Sequence, residues 1–210
     1  MFLFLDFTTD MSLTLIGRHF FLSKKIKSNK NISEILVIEI EKIFNKAKIN
    51  IKKLDTIFVI TGPGSFTGIR SALTFAKTIQ LTNNTDVKGI SKFEYLNIVA
   101  NDKNLFDLRT ILIFHRKMQF FSQNFIGNLC ISKPKIINFE VNTKIFNKRT
   151  SIICDNNILT SFVDKKYFEL FNSNIHFIDY NTKKLKMLIN KKNKLTNDPR
   201  PVYILSLIHI

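Results

Sequence analysis

The chain has 210 residues, 45% of them apolar, with a formal net charge of +16. That length and apolar share supply a core for one large domain or two small ones, which excludes a chain too polar to fold. No apolar run approaches the roughly 18 residues of a membrane-crossing helix, and Met1-Phe2-Leu3-Phe4-Leu5 lacks a basic flank and stops at Asp6, which reads against a signal segment. The positive charge would favour RNA, anionic lipid or an acidic protein. The lysines are scattered, however, and Lys, Asn, Ile and Phe abound while Gly and Pro are scarce, so compositional drift explains the charge better than a dedicated RNA groove. Cys130 and Cys154 show no paired spacing, which points to free thiols, a reducing compartment and a cytoplasmic location.

In chain order, residues 2–5 read as a buried strand, and residues 11–16 and 19–26 as a hairpin around Gly17-Arg18. Asn31 with Glu34 has capping-box character, and Ile32, Ile35, Leu36, Ile40, Ile43, Phe44 and Ala47 then share one helical face. Val37 and Ile38 widen that stripe, as a partner surface would, or a helix packed between two layers. Ile57-Phe58-Val59-Ile60 suits a strand buried on both faces.

Next comes Gly62-Pro63-Gly64-Ser65-Phe66-Thr67-Gly68-Ile69-Arg70, which holds three of the chain's six glycines. Ile69, Ala72, Leu73, Ala76 and Ile79 follow at helical spacing to about residue 81, with Thr67 placed to cap the first turn. A strand at 87–90 leads into Ser91-Lys92-Phe93-Glu94, a capping box opening a helix to about residue 100. Beyond it, 110–114 and 119–126 read as strands joined by a turn at His115-Arg116-Lys117, 151–154 and 175–178 as further strands, and 182–191 as a helix. Three meandering strands followed by helix-linked ones imply a mixed sheet with helices on its faces.

The glycine loop fails as a Walker loop, because Gly68 is followed by Ile69 and Arg70 where Lys-Ser/Thr is needed to meet phosphates. As a dinucleotide fingerprint it is one residue too long, and the acid expected about 20 positions on would have to be Asp86, at the start of a strand. Physics alone favours a tight turn that brings a helix N-terminus close to neighbouring backbone. His19, His115, His176 and His209 are isolated, so no metal is expected, and Ser65 lies outside a Gly-x-Ser-x-Gly nucleophile elbow.

The string from Gly62 to Arg70 closely resembles the hallmark of the TsaB (YeaZ-type) family, non-catalytic partners in bacterial threonylcarbamoyladenosine (t6A) tRNA modification. The resemblance implies an α/β, actin/Hsp70-like (ASKHA, RNase H-like) fold: a mixed β-sheet with flanking helices in two subdomains, 1–100 and 101–210. Residues 205–210 carry no formal charge and look like a non-native tail after Tyr203. Asp6-x-Thr8-Thr9 matches the family opening Asp-x-Ser/Thr-Ser/Thr, where the superfamily binds nucleotide phosphate. The glycine-rich turn of a working phosphate hairpin is missing after Thr9, so a local hydroxyl-rich turn is the better reading. Three positions depart from the family. Phe114-His115-Arg116 replaces Asp-Ala-Arg, Ile32-Ser33-Glu34 replaces His-Ser-Glu, and Pro201-Val202-Tyr203 lacks the arginine that usually follows.

By resemblance the chain would be no enzyme and need no cofactor. It would pair with a TsaD-like catalytic subunit through helices 31–47 and 67–81, using Ile35, Leu36, Ile38, Ile69, Ala72, Leu73 and Ala76. A TsaE-like ATPase would complete the complex, tRNA would be met only through it, and the isolated chain could self-pair as a homodimer. Gly62, Pro63, Gly64, Ser65, Phe66, Thr67, Gly68 and Arg70 would set the second helix's start, and Gly68→Trp or Ala72→Glu would abolish pairing while the chain stays folded. The alternatives are a degenerate ASKHA ATPase or kinase holding ATP at Asp6, Thr8, Thr9 and the glycine loop, and a direct tRNA binder.

Overall fold

The computed structural model describes residues 1–27, 32–100, 105–116, 119–138, 149–155, 175–178, 184–190 and 195–204. They fall into two units, one comprising Met1–Lys92 with Leu188–Tyr203 and the other built on Phe93–Met187. The sequence placed the boundary near residue 100 and gave the whole C-terminal half to the second unit.

In the first unit, β1 (Phe2–Asp6), β2 (Met11–Ile16) and β3 (Phe21–Ile26) form an antiparallel meander. Helix α1 (Ile32–Ala47) then leads to β4 (Thr56–Ile60), α2 (Phe66–Asn83) and β5 (Asp86–Ile90). The sheet order is β3-β2-β1-β4-β5, with β4 parallel to both β1 and β5. Strand alternation sorts the faces. Leu3, Leu5, Leu13, Leu15, Ile57, Val59 and Val87 meet Leu36, Ile40, Ile43, Phe44, Ile69, Ala72, Leu73 and Ala76 in one core. Each fully buried Leu or Ile there contributes roughly 1.5–3 kcal/mol relative to an exposed one. On the opposite face Phe4 stacks on Phe58 with ring centroids 4.5 Å apart.

The boundary falls at the start of α3 (Lys92–Ala100). The second unit contains β6 (Leu108–Arg116), β7 (Gln119–Ile126), β8 (Leu129–Cys130), β9 (Lys135–Asn138), β10 (Ser151–Asp155) and β11 (Ile175–Ile178). α4 (Leu185–Asn190) spans its end. β9 pairs with β7 and β7 with β6, both antiparallel, while β10 is parallel to β6 and β11. The path β9-β7-β6-β10-β11 therefore repeats the first unit's β3-β2-β1-β4-β5, strand for strand and direction for direction. This is the expected α/β architecture of two mixed sheets with flanking helices. Arg109 is held inside the unit by bonds to Asn97 Oδ1 (3.1 Å) and the Phe106 carbonyl (3.3 Å), and Asn97 in turn donates to the Gly127 carbonyl.

The hairpin at Gly17 forms as read, with Gly17 N–H donating to the Phe20 carbonyl at 3.0 Å. β6 runs through Arg116, so His115 and Arg116, expected in a turn, belong to the strand, and Lys117 lies outside the described residues. The cap expected at Asn31 and the suspected tail 205–210 also lie outside them.

Candidate functional site

The glycine loop is held by its neighbours. Ser65 N–H donates to the Thr8 carbonyl at 2.7 Å, and the Gly62 carbonyl accepts from Lys92 N–H at 2.7 Å. A β-carbon at Gly64 would overlap the Thr8 backbone, and one at Gly68 would overlap the Phe7 carbonyl oxygen. Glycine is needed here because the turn lies directly on the β1–β2 connection. The Gly62–Pro63 peptide is cis. Ser65, not Thr67, caps α2: its Oγ accepts from Gly68 N–H at 3.2 Å, and Thr67 is exposed one residue inside the helix. A hydroxyl three residues before the third glycine reaches the orphan N–H of the first turn, and Thr67 stands too late to do so.

Beside the loop, Asp6 Oδ1 accepts from both the N–H (2.9 Å) and the hydroxyl (2.6 Å) of Thr8. Lys92 Nζ donates to that hydroxyl at 3.1 Å. All three side chains are buried, and Thr9 is exposed at the turn. The Thr8 hydroxyl thus links a carboxylate to an ammonium, as a buried hydroxyl with one donor hydrogen and free acceptor capacity can. This is the local hydroxyl turn read from the sequence, with the addition of Lys92, which the sequence showed only as a helix-start residue.

A strap formed by residues 196–203 runs along the loop and β5. Gly89 N–H donates to the Thr196 carbonyl (3.0 Å) and Val202 N–H to the Thr61 carbonyl (2.8 Å). Lys88 Nζ bonds Asn197, and Lys77 Nζ reaches Asp198 at 3.3 Å. The strap ends with Tyr203, whose hydroxyl accepts from Arg70 Nε at 3.0 Å. The Arg70 guanidinium lies 3.6 Å from the centroid of the Phe66 ring, itself 5.4 Å from the Tyr203 ring. The Pro201-Val202-Tyr203 motif had flagged this segment without showing what it touches.

Between α1 and α2 opens a groove of about 580 Å³, with Leu36 and Phe75 among its apolar walls and Val37, Phe66, Thr67 and Arg70 at its rim. A second hollow of about 390 Å³ shares Val37 and Phe75 with it and continues toward Ile51. Of the seven helix residues assigned to a partner face, Leu36, Ile69, Ala72, Leu73 and Ala76 are buried in the unit's own core. Ile35 packs partly against that core, and Ile38 is half exposed. The correction has a simple cause: helical periodicity finds the stripe that faces the sheet, and what remains for a partner lies beside it. Val37, at 63% exposure, belongs to that remainder. Gly68→Trp and Ala72→Glu would therefore damage the core instead of probing a surface.

Residues 23–107 match the TsaD family model, described as tRNA N6-adenosine threonylcarbamoyltransferase. No curated protein matches the chain. Among solved structures, a Pseudomonas aeruginosa protein described as similar to the peptidase YEAZ superposes with a TM-score of 0.70 at 16% identity, covering 97% of this chain and 99% of the other. YeaZ from the same organism gives 0.68 at 16% identity over 96% and 98%. The chain has the YeaZ fold.

Within that fold, Asp6 and Thr8 are bonded to one another. Ser65 Oγ is taken up as a helix cap. Among the described residues no three His, Cys, Asp or Glu side chains gather as a metal site would require. At the Asp-Ala-Arg position, His115 packs its ring 4.4 Å from Phe121, and burial together with neighbouring Arg116 holds its pKa below the usual imidazole range. Arg116 donates to Gln119 across the bulge between β6 and β7. No described helix is long and apolar enough to cross a membrane.

Proposed function

We propose that this chain acts in t6A biosynthesis as a non-catalytic partner of a TsaD-like subunit. The observation that carries the reading is the apolar groove between α1 and α2, left open by the chain's own fold, with Val37 and Ile38 exposed beside it. The YeaZ fold and the family-model match over residues 23–107 support it. So does the loop, whose glycines serve close backbone contact with the Phe7–Thr8 turn. The role is to offer a rigid helical face whose angle is set by the seated start of α2. In the full assembly a TsaE-like ATPase joins, and tRNA is met through the complex.

The test is a pull-down with the wild-type chain and a Val37→Glu/Ile38→Glu variant, with t6A in total tRNA measured by nucleoside mass spectrometry. Both substituted side chains are solvent-facing, so the variant should melt within a few degrees of wild type. Wild type should retain a TsaD-like protein in stoichiometric amount, and the variant should lose it and lower t6A. Retention by neither chain, or equally by both, would overturn the reading.

A further inference from the structure

The rim of the groove carries a cation that the chain's own fold has positioned but not neutralised. Arg70 stands one turn into α2, its guanidinium laid over Phe66 and its Nε tied to the Tyr203 hydroxyl. It forms no ion pair with a described residue. None of the residues lining the groove is acidic, so Arg70 is the charged group of an otherwise apolar and hydroxyl-bearing surface. A guanidinium held by its Nε and one ring face still presents its two terminal nitrogens, spaced to meet a carboxylate with paired hydrogen bonds. Freezing a long side chain before binding also removes most of the entropy that binding would otherwise cost.

From this we infer that the groove takes an apolar helical segment of the partner protein carrying an Asp or Glu set against Arg70, and that the C-terminal strap, through Tyr203, holds this arginine in its receiving pose. The inference rests on the proposed pairing with a TsaD-like subunit and adds the chemistry by which the partner is recognised. Two properties follow from the geometry. The contact should weaken with salt more than an apolar contact does, because an exposed ion pair is screened. Lysine should replace Arg70 poorly, because an ammonium can neither stack on Phe66 in the same plane nor offer the two-pronged donor set.

The experiment is a calorimetric titration of the purified full-length chain with the purified TsaD-like subunit from the same cells, at about 0.05 and 0.5 M salt. Wild type, Arg70→Gln, Arg70→Lys and Tyr203→Phe are compared, each first checked for an unchanged melting profile. Arg70→Gln should weaken binding about tenfold or more at low salt and flatten the salt dependence. Arg70→Lys should recover only part of the loss, and Tyr203→Phe should fall between wild type and Arg70→Gln. If wild type does not bind, the proposed pairing fails and the inference falls with it. If wild type binds and Arg70→Gln binds equally well, or more weakly with the same salt slope, the pairing stands and the carboxylate contact is refuted.

Discussion

At the residue scale, the glycines of the loop are explained by what a single carbon would strike. Gly64→Ala and Gly68→Ala each press a methyl group into backbone atoms of Thr8 or Phe7, which have no side-chain freedom with which to yield. Each is expected to lower unfolding free energy by about 1–3 kcal/mol, read as a lower urea midpoint at unchanged slope. At Gly127 a β-carbon would meet nothing within 4 Å, and only its positive φ of 55° opposes a side chain. Gly127→Asn, which tolerates that conformation, should cost far less. The cysteines divide just as clearly. Cys154 is fully buried on β10, and burial beside Asp155 pushes its thiol pKa up, while Cys130 is exposed. A thiol reagent at pH 8 should therefore label one cysteine in the native chain and two in denaturant, since the thiolate is the reactive form.

At the element scale, β3 and α1 are joined by one carboxylate. Glu39 of α1 accepts from Lys24 of β3 and from Lys42 one turn on, at 3.0 Å for the latter. Those two hydrogen bonds, Lys24 first, hold its pKa below the ordinary 4.5. A carboxylate with a lowered folded-state pKa binds its proton more readily when unfolded. Its contribution is thus full above pH 4.5 and disappears as pH falls through the lower native value. Thermal melts of wild type and Glu39→Gln should differ near neutral pH and converge in acid.

The elements also show where the sequence was readable. The unbroken apolar runs of β1 and β4, the periodic faces of α1 and α2, and the glycine turn between β4 and α2 all depend on neighbours within a few residues, so local pattern exposed them. β9 escaped notice because Lys135-Ile136-Ile137-Asn138 is short and closed by polar residues, and its strand character comes from pairing with β7. Lys92 was hidden for a related reason, since its partner Thr8 is 84 positions away. The confusion of core-facing with partner-facing residues on α2 has the same origin: periodicity reports that a face is apolar, and only the sheet beneath it tells which molecule covers that face.

At the scale of the whole molecule, the two sheets share one strand order, and the first is completed by chain that follows the second. The strap supplies β5 with the Gly89–Thr196 bridge and the first loop residue with the Val202–Thr61 bond. Pro199 packs where Gly89 leaves room, and Asn197 accepts from the buried ammonium of Lys88, which also pairs with Asp86 at 3.2 Å. A chain ending at residue 194 should lose about 2–4 kcal/mol, from unmade backbone bonds and the lost Lys88–Asn197 bond. Its melting midpoint should fall by roughly 5–10 °C in scanning calorimetry.

That arrangement has a consequence for synthesis. A nascent polypeptide leaving the ribosome can assemble β1 to β5 long before residues 196–203 emerge, and until then β5 is an open edge able to recruit a stray strand. The hundred or so codons between β5 and the strap are thus a window of seconds in which a chaperone, or a neighbouring chain on the same message, competes for that edge.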